Sequence, residues 1–275
     1  MPFDVQSRLV DLRCDCCGAS DEELLLTKPG AISKHPFRVV RCKRCRFVYV
    51  NPRLDEAATA ELYDSEYYKG EGFDPAVKYE QEYGSGNETN ALVVEALTAY
   101  QSPPARLLDF GCGLGDLVRQ ATERGYRADG FEVSEYGRAF AREKGFRVFA
   151  SHDEIPSNTY DLVVAVEVIE HLFRPSASFR VIQRVLRPGG VLLYTTYNID
   201  RFLIRFRLAL AKDHGYIVPE GHINFFSHST AQRFFEHAGF RGLAPSLELG
   251  ERTLKRRVKL GLKRLVRLDL PGARK

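Results

Sequence analysis

The chain has 275 residues, 44% of them hydrophobic and 28% charged, which suffices for a sizeable core and one or two domains. It holds no run of about 18 apolar residues and its start, "MPFDVQSRLV", lacks the apolar stretch of a signal peptide, so no transmembrane helix and a cytoplasmic location are expected. The net charge of +4 is uneven: residues 251–275 hold ten Lys or Arg against two acids, so the remainder is net negative and nucleic acid is an unlikely partner.

Five of the six cysteines fall in the first 45 residues. Cys14 and Cys17 in "CDCCG" and Cys42 and Cys45 in "CKRC" form two C-x-x-C pairs. Two such knuckles supply four thiolates, the full complement of a structural zinc ion, with no position left open for chemistry. Gly18 follows the first knuckle, where a flexible backbone is needed, but Arg46 follows the second, and Cys16 is an alternative ligand. "FRVVRC" and "RFVYVNP" read as two short strands around the second knuckle, so residues 1–50 are expected to be a zinc-ribbon-like module. Residues 51–102 read as a helical, tyrosine-rich connector or lid ending at Pro103-Pro104.

From residue 103 to 250 strands and helices alternate. "ARLLDFG", "YRADGFEVS", "FRVFA", "YDLVVAVEVIEHL" and "VLLYTTYN" read as strands, with helices between them. Ser134 is an expected N-cap. This alternation implies an α/β, doubly wound, mostly parallel sheet of Rossmann-like type, with an insertion at 198–222 and a further strand or two after the helix "STAQRFFEHAGF".

"LLDFGCGLGDL" runs from a strand into a helix. Gly111, Gly113 and Gly115 alternate, and Asp116 stands where a dinucleotide fingerprint needs its third glycine. Asp109 before the turn would repel a pyrophosphate but suits a cation. Glu132 ends the second strand, where an acid accepts hydrogen bonds from both ribose hydroxyls. An adenosine-type ligand with a positively charged end is therefore expected.

"LLDFGCGLGDL", "FEVSE", "YDLVVAVEVIEHL" and "LRPGGVLLYTTYN", in this order, resemble the motifs of class I S-adenosylmethionine-dependent methyltransferases over about residues 100–245. The resemblance implies that Asp109, Gly111, Cys112 and Gly113 hold the methionine part of the cofactor and Glu132 the ribose. It implies that Asp153, with His152, meets the adenine, and that Glu167 lies near the cofactor. The N-terminal segment is similar to a zinc-module extension of bacterial methyltransferases that act in glycan, lipid or natural-product pathways.

"VVAVEVIEHL" sets Glu167, Glu170 and His171 at the end of a core strand. Three readings stand. The acids and histidine shape the pocket and cap the next helix; or His171, tuned near neutrality by a carboxylate, is a general base; or Glu167, Glu170, His171 and His222 hold a divalent metal, as the resemblance to ubiquinone-pathway O-methyltransferases and small-RNA 2′-O-methyltransferases implies. Catalysis is otherwise in-line placement of the acceptor.

"RFLIRFRLALAK" (201–212) and "LKRRVKLGLKRLVRL" (254–268) alternate basic and apolar residues at helical spacing, so a peripheral membrane contact and a basic amphipathic tail at 251–275 are expected. The expected activity is O-methylation of a small-molecule, glycan or lipid-linked acceptor. The alternatives are a catalytically inactive docking protein of the same fold, or an RNA methyltransferase. "EVIE" stands where enzymes that methylate the amino groups of bases carry N-P-P-Y, which argues for a hydroxyl acceptor.

Overall fold

A computed structural model of the protein describes residues 4–72, 78–85, 87–200, 216–248 and 264–269. The N-terminal module contains β1 (Leu9–Val10), β2 (Glu22–Pro29), β3 (Pro36–Cys42), β4 (Val48–Val50) and β5 (Arg53–Leu54). β3 and β4 are the hairpin expected around the second knuckle, paired antiparallel. β2 adds a third antiparallel strand that the sequence did not announce. Its "EELLLTKP" clusters its leucines instead of alternating them, and Leu24 stays exposed on this edge strand. β1 pairs with β5 at the entrance to the connector.

The connector folds into α1 (Glu56–Glu61), α2 (Ser65–Lys69), α3 (Tyr79–Glu82) and α4 (Glu88–Leu97). Asp55, Asp64 and Asn87 cap α1, α2 and α4 by accepting backbone N–H groups that the first turns leave unsatisfied. The tyrosines pack as a chain of rings. Tyr67 meets Tyr63 at 5.0 Å and Tyr68 at 5.2 Å, and Tyr68 stacks on Tyr136 at 5.8 Å. They join the module to the larger domain and also cover its glycine loop.

The larger domain follows the expected alternation: β6 (Arg106–Phe110), α5 (Asp116–Glu123), β7 (Arg127–Phe131), α6 (Glu135–Glu143), β8 (Val148–Phe149), β9 (Tyr160–Val166), α7 (Pro175–Val185) and β10 (Leu186–Thr195). Ser134 caps α6 through Gly137 N–H, as expected. β11 (Asn224–Phe225), α8 (His228–His237), β12 (Arg241–Glu248) and β13 (Arg264–Asp269) complete the chain. The sheet order is β12-β13-β10-β9-β6-β7-β8, and β10, β9, β6, β7 and β8 are mutually parallel. β9 reads as a continuous apolar run because both faces of a parallel sheet are covered; Leu162, Val163, Val164 and Ala165 are fully buried.

The basic tail needs correction. Residues 264–269, expected within an amphipathic helix, form β13, antiparallel to both β10 and β12. Pairing along β10 satisfies a row of backbone groups that a surface helix would leave open. Segment 201–212 and residues 254–263 lie outside the described residues. Among those described, no helix is long and apolar enough to cross a membrane.

The two bodies are interlocked. β11, which follows the insertion, pairs with β4, so the N-terminal sheet has four strands, ordered β11-β4-β3-β2. Arg53 lies at this junction with 2% of its surface exposed. Its guanidinium donates to Val50 O at 3.1 Å, and to Phe173 O and Asn224 Oδ1 at 3.3 Å each. Asn224 in turn donates to Leu172 O at 2.7 Å. Burial holds the Arg53 pKa down at about 10, so it remains a cation at neutral pH. An Arg53→Met variant removes the donor from three acceptors, of which Val50 O and Asn224 Oδ1 belong to buried residues, each worth about 1–3 kcal/mol. Urea denaturation is expected to show a loss of about 2–5 kcal/mol.

Candidate active site

β6 and β7 deliver the glycine loop and Glu132 side by side. Gly111 N and Cys112 N both donate to Phe131 O, at 2.8 and 3.0 Å, which ties the loop to the end of β7. Gly111 has φ +84°, and a Cβ there would lie 2.6 Å from Val168 Cγ2, so both conformation and space demand glycine. Glu132 is 6% exposed, and its carboxylate accepts from Gly113 N and Ser134 N, each at 2.8 Å. Burial raises its pKa and these two N–H groups oppose that rise. Asp109 is buried beneath the loop. Burial first, then the charges of Glu132 and Asp116, push its pKa up to about 8. A positive charge placed beside it would favour the ionised form.

Two expected cofactor residues are placed differently from the rest. Cys112 packs its side chain with Val118, Ala141 and Val148, and its sulfur lies 2.5 Å from where a Cβ on Gly130 would stand. Its thiol therefore belongs to the packing under the loop. Asp153 is exposed, in a short 3-10 turn, His152–Glu154. Its neighbour His152 instead lies over Phe110 and Phe131, with ring centroids 5.7 and 4.8 Å apart. Burial lowers the His152 pKa, so its ring is a neutral, flat surface beside the ends of β6 and β7.

The strand-end acids are explained by a sharp backbone turn. Glu167 follows β9 with φ +56°, a left-handed conformation that costs a non-glycine residue about 1–2 kcal/mol. Thr195 at the end of β10 holds it: Glu167 N donates to Thr195 Oγ1 at 3.1 Å, and Thr195 Oγ1 donates to Glu167 Oε1 at 3.1 Å. The chain then makes a 3-10 turn, Ile169–His171, that buries Glu170 and brings out His171. Tyr216 OH reaches Glu170 Oε1 at 3.4 Å.

His171 and His222 come together, their rings 4.8 Å apart, with Tyr63 edge-on to His171 at 6.0 Å and Tyr216 against His222 at 4.6 Å. His171 Nδ1 lies 2.9 Å from Gly221 O, and His222 Nδ1 lies 2.5 Å from Tyr216 O. A carbonyl only accepts, so in both rings Nδ1 carries a proton, and in the neutral His171 ring Nε2 keeps its lone pair. The expectation of a carboxylate-tuned, near-neutral His171 is not met. Burial, and then His222, push its pKa down to about 3, so it is neutral throughout the physiological range.

Among the described residues, Cys14, Cys17, Cys42 and Cys45 are the group whose ligand atoms gather, all within 4.8 Å of one another. The Nδ1 atoms of His171 and His222 meet carbonyls, the contact by which a metal-ligating histidine commonly orients its other nitrogen, so the divalent-metal reading stands beside the others. The cysteines do fit zinc. The Cys14–Cys45 and Cys17–Cys42 sulfurs are 3.5 and 3.6 Å apart, close to the roughly 3.8 Å edge of a tetrahedron with Zn–S of ~2.3 Å. Gly18 and Arg46 have φ +74° and +67°, so arginine adopts the glycine conformation of the matching knuckle, with its side chain paired to Glu23 at 3.0 Å.

A family profile described as a methyltransferase domain matches residues 85–244. The chain belongs to this methyltransferase family. It is 28% identical over 149 residues to a ubiquinone biosynthesis O-methyltransferase of Vibrio cholerae, a match covering 50% of this chain and 61% of that relative. Two solved structures share the fold. An S-adenosylmethionine-dependent methyltransferase from Mesorhizobium loti is 19% identical, with TM-score 0.52 over 67% of this chain and 99% of that one. Magnesium protoporphyrin IX methyltransferase from Synechocystis, solved with bound S-adenosylhomocysteine, is 16% identical, with TM-score 0.56 over 78% of this chain and 100% of that one.

Several residues of this methyltransferase site were not visible in the sequence. Gly137 sits where a Cβ would meet Tyr68 OH at 2.9 Å and Glu132 Cγ at 3.1 Å. Ser134 Oγ donates to Tyr63 O and so draws the connector over the loop. Thr195 was foreshadowed only by the polar end of "VLLYTTYN". Asp109 provides a test of the electrostatics. Its folded pKa is raised, so its contribution to stability is complete below about pH 4 and lost as pH rises through 8. Asp109→Asn is therefore expected to raise the stability of the cofactor-free protein at pH 9, by about 2–5 kcal/mol in denaturant titrations, while weakening binding of a cationic ligand.

Proposed function

We infer that the protein transfers a methyl group from S-adenosylmethionine to a hydroxyl of a small-molecule, glycan or lipid-linked acceptor. The observation that carries the reading is Glu132, held by Gly113 N–H and Ser134 N–H at the end of β7, beside a loop of three positive-φ glycines. That pairing suits an adenosine ligand: a carboxylate for the ribose hydroxyls, close backbone approach at the loop, and Asp109 for a positive charge. His152 over Phe110 and Phe131 offers a flat wall for the base. When bound, the cofactor supplies the electrophilic methyl group.

The acceptor side is formed by His171, His222, Tyr63 and Tyr216. A hydroxyl loses its proton as its oxygen takes up a methyl group, and the departing proton becomes strongly acidic. Even a weakly basic Nε2, such as that of His171, can then receive it. Glu167 lies between the two halves, locked by Thr195. The match to ubiquinone O-methyltransferases supports a hydroxyl acceptor; the chain spans about three-fifths of the length of the first of those relatives. The tetrahedral cysteine group is read as a structural zinc site.

Calorimetric titration with S-adenosylhomocysteine tests the cofactor site. Binding is expected in the wild type and is expected to fall about tenfold or more in Glu132→Ala. Absence of binding by folded wild-type protein would sink the enzyme reading and favour the docking-protein alternative. Zinc analysis tests the module: about one ion per chain is expected in the wild type, and its loss in Cys45→Ser.

A further inference from the structure

The turn that carries His222 is gripped by the tip of the zinc-module hairpin. Glu220 is fully buried. Its Oε2 accepts from Ile32 N and its Oε1 from Ser33 N, both at 2.8 Å, in the loop between β2 and β3. Successive backbone N–H groups turned toward one point make a site for an anion, and here the anion is a side chain from another part of the protein. Gly30 lines the same site: a Cβ there would lie 2.3 Å from Glu220 Oε1. The approach is closer than any other residue permits.

Glu220 belongs to the segment that sets both histidine rings. Gly221 N and His222 N donate to Val218 O at 3.0 and 2.7 Å, closing a turn around Glu220. Gly221 O, one peptide on, is the carbonyl that takes the His171 Nδ1 proton, and Tyr216 O, four residues before, takes that of His222. Beyond the turn, Ile223 N donates to Glu170 O at 3.0 Å and Ile223 O accepts from Val50 N at 3.0 Å. The hairpin tip therefore holds one side of this segment and β4 holds the other.

We propose that Glu220, clasped by the Ile32 and Ser33 N–H groups of the zinc-module hairpin, is a positioning residue that sets the tautomer and orientation of His171 and His222. The module thus acts as a scaffold of the acceptor side. The inference rests on the proposed role of the two histidines, but its primary test is independent of any acceptor.

Glu220→Gln replaces one acceptor oxygen with an amide NH2 that faces a backbone N–H, donor against donor. Gly30→Ala reaches the same contact from the opposite side of the interface. Lys43→Gln, which removes only a surface ion pair with Asp21 in the same module, is the control. Full-length proteins with 15N-labelled histidine are compared by ring-nitrogen correlation spectra at pH 7, with His171→Asn and His222→Asn used to assign the signals. Zinc content and S-adenosylhomocysteine affinity are measured in parallel. In wild type and Lys43→Gln, both histidines are expected as single Nδ1–H tautomers. In Glu220→Gln and Gly30→Ala, both are expected to shift toward mixed tautomers, with zinc content unchanged and S-adenosylhomocysteine affinity within about twofold. Spectra of the two folded variants that superimpose on wild type would overturn the proposal. If neither variant folds, native-state hydrogen exchange of the wild type decides. Protection of the Ile32 and Ser33 amides equal to that of Gly221 and His222 supports the clasp, and free exchange of the hairpin amides overturns it. Loss of S-adenosylhomocysteine binding in the wild type would count against the cofactor reading and leave the tautomer result to be judged alone.

Discussion

The structure depends on a buried cation. Arg53, at the exit of the N-terminal module, places its guanidinium among Val50 O, Phe173 O and Asn224 Oδ1, with the Tyr49 ring 5.6 Å away. Burying a guanidinium is costly unless its donors are answered, and here the nearby Val50 and two segments more than 100 residues away answer them. The arrangement therefore defines where β5, the segment after β9 and β11 meet. Pairing of β11 with β4, and of Ile223 with both Glu170 and Val50, follows from that meeting. The cysteine module is thus part of the wall of the site.

Around this junction the larger domain keeps its strained and costly groups where β6, β7, β9 and β10 end. Glu167 holds a left-handed backbone against Thr195, Gly111 fits beside Val168 only without a Cβ, and Asp109 sits buried with a pKa near 8. Each lowers the stability of the cofactor-free chain, and each is held by a well-packed sheet whose central strand β9 buries Leu162, Val163, Val164 and Ala165 completely. Ends of parallel strands are where such groups converge, since loops there can be varied without disturbing the sheet.

The acceptor side has a different character. His171 and His222 are surrounded by Tyr63 and Tyr216, with their Nδ1 atoms on main-chain carbonyls. The His171 imidazole stays neutral because its enclosed setting disfavours charge. It is suited to receiving a proton late, when methylation has made that proton acidic, more than to ionising an acceptor beforehand. At the end of this core strand Glu167 makes the turn, held there by Thr195, Glu170 is buried by it, and His171 follows it.

Much of the larger domain was legible in order and type, because strands buried on both faces and helices with one apolar stripe leave local patterns. The glycine spacing and Glu132 were legible for the same reason: a tight turn and a strand-end acid are local features. The four cysteines were legible because a tetrahedral ion needs paired thiolates at short spacing. What the sequence could not decide was non-local. β13 competes with an amphipathic helix, and only the free edge of β10 settles it. The donor set Glu167, Glu170, His171 and His222 suggested a metal, and only the tertiary structure shows that Nδ1 of each histidine is the nitrogen held by a carbonyl, of Gly221 and of Tyr216. Arg53, Asn224 and Glu220 carry no local signature, since their roles come from partners more than 100 residues away. The sequence by itself determined the alternating sheet, the glycine loop and the thiolate pairs, whose causes lie within a few residues. The tertiary structure alone decided which side chains gather beside His171 and which carbonyls orient the two histidine rings, because those contacts form only where distant segments pack together.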